Sequence, residues 1–182
     1  MAELFRSQVR FYGKHGLYLE ALTPDAQDAK DESLPEIARK KFLFKTVVEI
    51  YAIAPLVGYL YQRKAPRDGN EQTKNIFEGA LANHYDRLLF SYQLLMILDK
   101  GSEPDLNERL RRAFQADEEI TKVGFDLFNE YARGGIEVLY ENLIEGADSP
   151  ETLLMKLVDF VDDFDTRFVK EVEVADLSSL LF

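Results

Sequence analysis

Cysteine is absent from this 182-residue sequence, and histidine occurs only twice. Without cysteine there is no disulfide framework, thiolate metal site or cysteine nucleophile. The two histidines, His15 and His84, fit neither the His-Glu-x-x-His pattern of zinc proteases nor the Glu-x-x-His pattern of di-iron bundles. A chain without cysteine suits a reducing compartment, so we expect a cytoplasmic location.

Long apolar runs are also absent. The first 16 residues lack a basic stretch followed by an apolar run, so they do not read as a secretory signal. The longest uncharged run covers 13 residues, 50–62, and includes Pro55 and Gly58. A membrane-spanning helix needs about 20 apolar residues. We therefore expect no membrane partner.

Charge is plentiful but unevenly distributed, with a formal net charge of -11. Residues 1–67 hold 11 Lys and Arg against 8 Asp and Glu, whereas residues 68–182 hold 11 against 25. The acidic part would repel phosphate backbones and anionic lipid, which disfavours a nucleic-acid partner. The basic first third could still make a local contact with nucleic acid.

Apolar residues recur at helical spacing through most of the chain, and they make up 46% of it. This pattern predicts an all-α fold, an irregular bundle of about six helices in a single domain covering residues 1–182. We expect residues 1–30 and 171–182 to be irregular, with a possible short strand at 8–12. The polar, turn-rich residues 65–73 predict a loop.

Local signals predict where several helices begin and end. Ser149 and Pro150 predict a helix start at 150. Ser33 with Glu36 has capping-box spacing before a helix that could run to residue 54, where Pro55 would kink or break it. Further helices are predicted over 74–99, over 102–114 with Leu106, Leu110 and Phe114 on one face, and from 117. Gly134 and Gly135 predict a break before a helix that Gly146 ends.

One candidate site residue is a carboxylate in apolar surroundings. Glu49 lies among almost entirely apolar neighbours between residues 47 and 61, and a buried carboxylate needs a partner. Lys45 is the simplest partner, with Arg63 or His84 as tertiary alternatives. A structural ion pair or an exposed position is one interpretation, and a ligand-binding carboxylate is the other.

The remaining candidates are basic, aromatic or acidic. Tyr61, Arg63, Lys64 and Arg67 form an aromatic and basic cluster of the kind that can hold a phosphate or a stacked base. His84 is interpreted as a partly buried histidine with one satisfied nitrogen, or else as a ligand. Two acidic sets are interpreted as solvated helix faces. For Glu137, Glu141 and Glu145 the alternative is a surface for a basic partner, and for Asp159, Asp162, Asp163 and Asp165 it is a divalent-metal site completed by another segment.

Two segments resemble parts of small, helical, uncharacterised bacterial proteins. They are APLVGYLYQRKA at 54–65 and RGGIEVLYE at 133–141. The resemblance implies a helical protein and carries no activity and no functional residue.

No catalytic motif stands out: the sequence has no phosphate-binding loop, nucleophile elbow or dinucleotide fingerprint. We therefore expect a non-enzymatic adaptor or accessory subunit with a protein partner and no cofactor. One alternative is an accessory nucleic-acid-binding protein that uses residues 39–45 and 63–67. The other is a small-molecule or metal enzyme built around Glu49, His84 and nearby tyrosines.

Overall fold

A computed structural model describes residues 4–23, 44–69, 71–115 and 117–169 of the chain. Most of these residues are helical, and the sheet among them has only two strands, which confirms the predicted all-α class. The elements in chain order are β1 (Val9–Tyr12), α1 (Lys14–Leu22), α2 (Val47–Leu60), β2 (Gln72–Ile76), α3 (Glu78–Asn83), α4 (Tyr85–Leu98), α5 (Leu106–Phe114), α6 (Glu118–Leu143), α7 (Pro150–Phe164) and a π-helical turn (Asp165–Val169).

The contacts within the chain form two compact units, Met1–Tyr140 and Glu141–Phe182. The prediction of a single domain stays a prediction. No helix in the described ranges has both the length and the apolar content needed to cross a membrane.

The two strands are antiparallel and come from distant parts of the sequence. Val9 pairs with Ile76 and Phe11 with Lys74, with an irregularity before Tyr12. Val9 and Phe11 are buried, as the alternating pattern at 8–12 predicts. The loop predicted over 65–73 is wrong at its end, because β2 begins at Gln72.

The single helix predicted over 74–99 is wrong as well. Its first residues belong to β2, and the rest forms two helices that meet at His84. Phe77, which lies inside the predicted helix, occupies the N-cap position of α3 and is 66% exposed. Pairing with the distant strand β1 decides the structure here, and local periodicity carries no information about that pairing.

Helix α2 starts later and continues further than predicted. Thr46 and Glu49 form a capping box at its start, whereas the predicted capping pair, Ser33 and Glu36, lies outside the described residues. Pro55 does not end the helix, although a proline in a helix interior costs about 3 kcal/mol. Pro55 is buried together with Ala54 and Gly58, so packing of this face offsets the local cost.

Helix α6 is continuous through Gly134 and Gly135, so the predicted break is wrong. The glycines serve close packing against α2 and the segment after it. A Cβ at Gly135 would collide with the carbonyl oxygen of Ala54, and one at Gly134 with that of Arg63. A Cβ at Gly58 of α2 would likewise collide with the carbonyl oxygen of Tyr131 in α6. Helix α6 ends at Leu143, and Gly146, at φ 72°, marks the turn predicted there.

The core of the first unit is aromatic at its centre. Tyr51 of α2 makes edge-to-face contacts with Phe5, Phe11 and Phe128, with ring centroids 5.5–6.2 Å apart. Leucines of three helices complete it, among them Leu19, Leu88 and Leu139. This core holds α1, α2 and α6 in the relative positions that create the polar cluster described below.

The second unit contains α7. Ser149 accepts the backbone N–H of Thr152 at 3.2 Å and Pro150 occupies the first helical position, so the predicted start is confirmed. The helix ends at Phe164 and passes into the π-helical turn. Asp159, Asp162 and Asp165 are exposed and Asp163 is half-buried, in keeping with the predicted solvated face.

Candidate functional site

Glu49 caps a helix. One of its carboxylate oxygens accepts the backbone N–H groups of Lys45 at 2.8 Å and Thr46 at 3.3 Å. These are amide groups at the start of α2, where a carboxylate also interacts favourably with the helix dipole. The predicted contact with Lys45 therefore involves its main chain. The guanidinium of Arg63, an alternative partner in the prediction, is 2.9 Å from Glu137.

His84 lies at the junction of α3 and α4. Its Nδ1 is 3.0 Å from the carbonyl oxygen of Ala80, which fits the interpretation of a half-buried histidine with one satisfied nitrogen. His84 also lines an open cleft of about 900 Å³ together with Arg6, Glu78 and Arg87. Glu49 is not among the described residues of that lining, so the structure does not bring the two predicted site residues together there.

The cations of the predicted aromatic and basic cluster are engaged within the protein. Arg63 pairs with Glu137 at 2.9 Å, and the Arg67 guanidinium lies 3.5 Å from the ring centroid of Tyr12. Tyr61 follows the last turn of α2, donating its backbone N–H to Val57. These contacts hold the segment after α2 in place, so they give a reason internal to the fold for its basic residues.

Lys64 belongs to a second polar cluster. Its Nζ is 2.6 Å from Ser102 Oγ, 3.9 Å from an Asp99 oxygen and 4.7 Å from the ring centroid of Tyr131. Burial alone would raise the pKa of Asp99, but hydrogen bonds from Ser102 and Tyr131 together lower it. The same burial and the neighbouring Asp99 raise the pKa of Tyr131 well above its usual range. The cluster ties the end of α4 to α6.

The least expected polar group is Glu137, which was predicted to lie on a solvated face. It is only 5% exposed, so that prediction is wrong for this residue. One carboxylate oxygen is 2.9 Å from Lys14 Nζ and 3.0 Å from His15 Nε2, and the other is 2.9 Å from Arg63 Nη2. We call these four residues the Glu137 cluster. It joins α1, α6 and the segment after α2.

Electrostatics within the Glu137 cluster favour an ionised carboxylate beside a neutral imidazole. Burial raises the pKa of Glu137, but the hydrogen bonds from Lys14 and His15 outweigh it and leave the pKa below its ordinary value. Burial lowers the pKa of His15, which is 1% exposed, and Glu137 opposes this only in part. His15 Nδ1 has no hydrogen-bond partner among the described residues, so the proton of the neutral ring belongs on Nε2.

Helix α5 reverses the usual arrangement of polar and apolar side chains. Leu106, Leu110 and Phe114 are 52%, 39% and 52% exposed, whereas Arg109 is 5% exposed. These three apolar residues, spaced i, i+4 and i+8, are named the α5 stripe. The sequence predicted the helix that bears these three residues, and their exposure is a finding of the structure.

The packing of α5 explains why Arg109 is inside. Its Nη1 donates to the carbonyl oxygens of Glu103 at 2.8 Å and Pro104 at 2.9 Å, which closes the loop before the helix. Ala113, fully buried, provides the close contact on the same side. Tyr92 of α4 donates to the carbonyl of Arg112 at 3.1 Å. Arg109 and Ala113 thus occupy the most buried side of α5, and the three large apolar side chains are only about half buried.

Sequence reasoning missed the α5 stripe as a surface and the Glu137 cluster as a site. The sequence of α5 carried no signal for an exposed stripe, because Arg109, Arg111 and Arg112 away from the leucines are typical of a helix whose leucines face the core. Among the described residues, no group of three His, Asp or Glu side chains is arranged to hold a metal ion. No family model, curated protein or solved structure matches this chain.

Proposed function

We propose that this protein is a non-catalytic binding subunit of a cytoplasmic protein assembly and that the α5 stripe is its docking surface. The observation that carries the proposal is the exposure of Leu106, Leu110 and Phe114 on one face of a helix that buries an arginine instead. Single exposed apolar residues are common on protein surfaces, but an aligned set on one helix face is typical of an interaction site.

The energy available to such a surface is sufficient for specific recognition. Complete burial of a leucine or phenylalanine side chain is worth about 1.5–3 kcal/mol relative to exposure. The three residues already bury about half of their surface in this chain, so covering them would supply on the order of 1 kcal/mol each. The well-packed opposite face of α5 keeps the stripe rigid, which lowers the entropic cost of docking.

The proposal is tested by site-specific photo-crosslinking in the cell that produces the protein. A photoreactive phenylalanine analogue replaces Phe114 or, as a matched control, Phe77, which is similarly exposed but stands alone before α3. We expect an adduct with one other protein from position 114, none with that protein from 77, and loss of the adduct in a Leu110→Gln variant. Equal labelling from both positions, or labelling that Leu110→Gln leaves unchanged, would contradict the proposal.

A further inference from the structure

We infer that the segment docking on the α5 stripe is an amphipathic helix with basic residues along its rim. The inference rests on the proposed function and names the kind of partner that the stripe would bind. Three observations support it: the shape of the stripe, the backbone groups around it and the charges at its two ends.

The shape of the stripe fits a helix. Three residues at i, i+4 and i+8 form a ridge about 12 Å long on α5, since a helix rises 1.5 Å per residue. Ridges of this spacing pack into the grooves between the side chains of a second helix. A partner helix with apolar residues at i, i+3, i+4 and i+7 presents the complementary face.

The backbone of α5 excludes the main alternative, an added β-strand. A strand that binds by β-augmentation needs a row of free backbone N–H and C=O groups. In α5 these groups are bonded within the helix, and its ends are closed by Asp105, which accepts the N–H groups of Asn107 and Glu108, and by the bond from Gln115 to Arg111. A docking segment therefore gains no backbone hydrogen bonds from α5, which favours a helix, because a helix bonds its own backbone groups.

The charged residues around the α5 stripe determine which charge the rim of the partner helix should carry. Between residues 99 and 119 there are seven carboxylates and four cations. Arg109 is buried, and Arg111 and Arg112 pair with Glu108 and Glu103 at 2.7 and 2.8 Å. In the sequence, Asp105 directly precedes the stripe, and three carboxylates, Asp117, Glu118 and Glu119, begin three residues after Phe114.

This acidic border disfavours the other occupants of an apolar stripe. Two copies of the chain would bring like charges together at both ends of the stripe, in addition to the net charge of -11 on each copy. An anionic lipid surface would be repelled for the same reason. Basic residues on the partner would instead be attracted at both ends, and their contribution would weaken as salt screens it.

The test uses three synthetic peptides, each of about four helical turns, and the full chain. The first peptide carries a leucine face and a lysine rim, the second the same leucine face with a glutamate rim, and the third the lysine rim with serines in place of the leucines. Binding is measured by fluorescence anisotropy at low and at physiological salt. We expect the first peptide to bind at least about tenfold more tightly than either of the others, a difference that corresponds to about 1.4 kcal/mol.

Matched leucine variants separate stripe binding from general attraction to an acidic protein. Leu110→Gln removes an apolar contact without adding charge, and we expect it to weaken binding of the first peptide about tenfold. Leu17→Gln makes the same change at a leucine of α1 that is 56% exposed and should leave binding unchanged. Circular dichroism confirms that both variants remain folded.

Each other outcome overturns a different statement. If the glutamate-rim peptide binds as tightly as the lysine-rim peptide, the basic rim is wrong while docking at the stripe stands. If Leu110→Gln has no effect on the lysine-rim peptide, the inference fails because binding is then only electrostatic. If position 114 crosslinks to a second copy or within the chain, the named partner is wrong, whereas the absence of any adduct removes the proposed function itself.

Discussion

The Glu137 cluster and the α5 stripe lie in the same compact unit. Both depart from the rule that charged side chains are exposed and apolar side chains are buried. The first buries a carboxylate against three basic side chains, and the second exposes two leucines and a phenylalanine. Each departure has a local physical cause. Glu137 is buried because α1, α6 and the segment after α2 all bring a partner to it, whereas the α5 stripe is exposed because Arg109 and Ala113 already fill the inner face.

The two regions therefore serve different purposes in the protein. Every charged group in the Glu137 cluster has a counter-charge within the fold, so removing one should cost stability. Nothing in the packing of α5 uses the exposed parts of the α5 stripe, so altering it should cost little stability and affect only what docks there.

The largest effect is expected for Glu137→Ala. It leaves His15, buried, and Lys14 and Arg63, each more than one third exposed, without their shared partner. Removing one member of a buried ion pair costs about 3–5 kcal/mol, and the partial exposure of two cations places our expectation near 3 kcal/mol. Urea unfolding measures the loss. Glu137→Gln is the control for shape, and a loss below about 1 kcal/mol for Glu137→Ala would show that the cluster does not stabilise the fold.

A smaller loss of stability is expected for Gly134→Ala, which disturbs the Glu137 cluster by displacing the segment that carries Arg63. The added Cβ collides with the carbonyl oxygen of Arg63, so α6 and the segment that carries Arg63 must separate. Forced repacking of this kind costs about 1–3 kcal/mol. Gly79→Ala in α3 is the control, because a Cβ at that position would meet no atom within 4 Å and alanine favours a helix. Thermal unfolding that ranks Gly134→Ala at or above the control would contradict the contact.

Acid should destabilise the protein through His15 before it does so through Glu137. The folded-state pKa of His15 lies below its unfolded value near 6.5, so the unfolded chain binds the proton more readily and stability falls as pH drops below about 7. The folded-state pKa of Glu137 is also lowered, and its contribution is lost only below its ordinary value of 4.5. Urea midpoints between about pH 7.5 and about pH 5.5 should fall in the native chain and fall less in His15→Gln. If the midpoint falls by the same amount in the native chain and in His15→Gln, His15 is excluded as the cause. His84→Gln serves as the reference for replacing the other histidine.

The contrast between the two regions also shows which features of the fold can be predicted from sequence patterns and which cannot. The start of α7 and the end of α6 follow from Ser149, Pro150 and Gly146, because capping and turn chemistry act within a few residues. The continuity of α6 through Gly134 does not follow, because those glycines are explained only by a distant carbonyl. For the same reason the partners of Glu137, up to 123 residues away in the chain, could not be read from the acidic row in which it stands.

The α5 stripe should give the smallest effect on stability. Glutamine is as good a helix former as leucine, but Leu110, at 39% exposed, already buries more than half of its surface, so we expect Leu110→Gln to lower the free energy of unfolding by about 1 kcal/mol. Leu88→Ala, at a fully buried position of α4, should cost about 2–5 kcal/mol in the same urea experiment. A loss above about 2 kcal/mol in Leu110→Gln would mean that the stripe is part of the packed core, and the comparison would fail. A small loss together with weaker peptide binding would instead assign the exposed leucines to recognition, because stability and affinity would then depend on different faces of one helix.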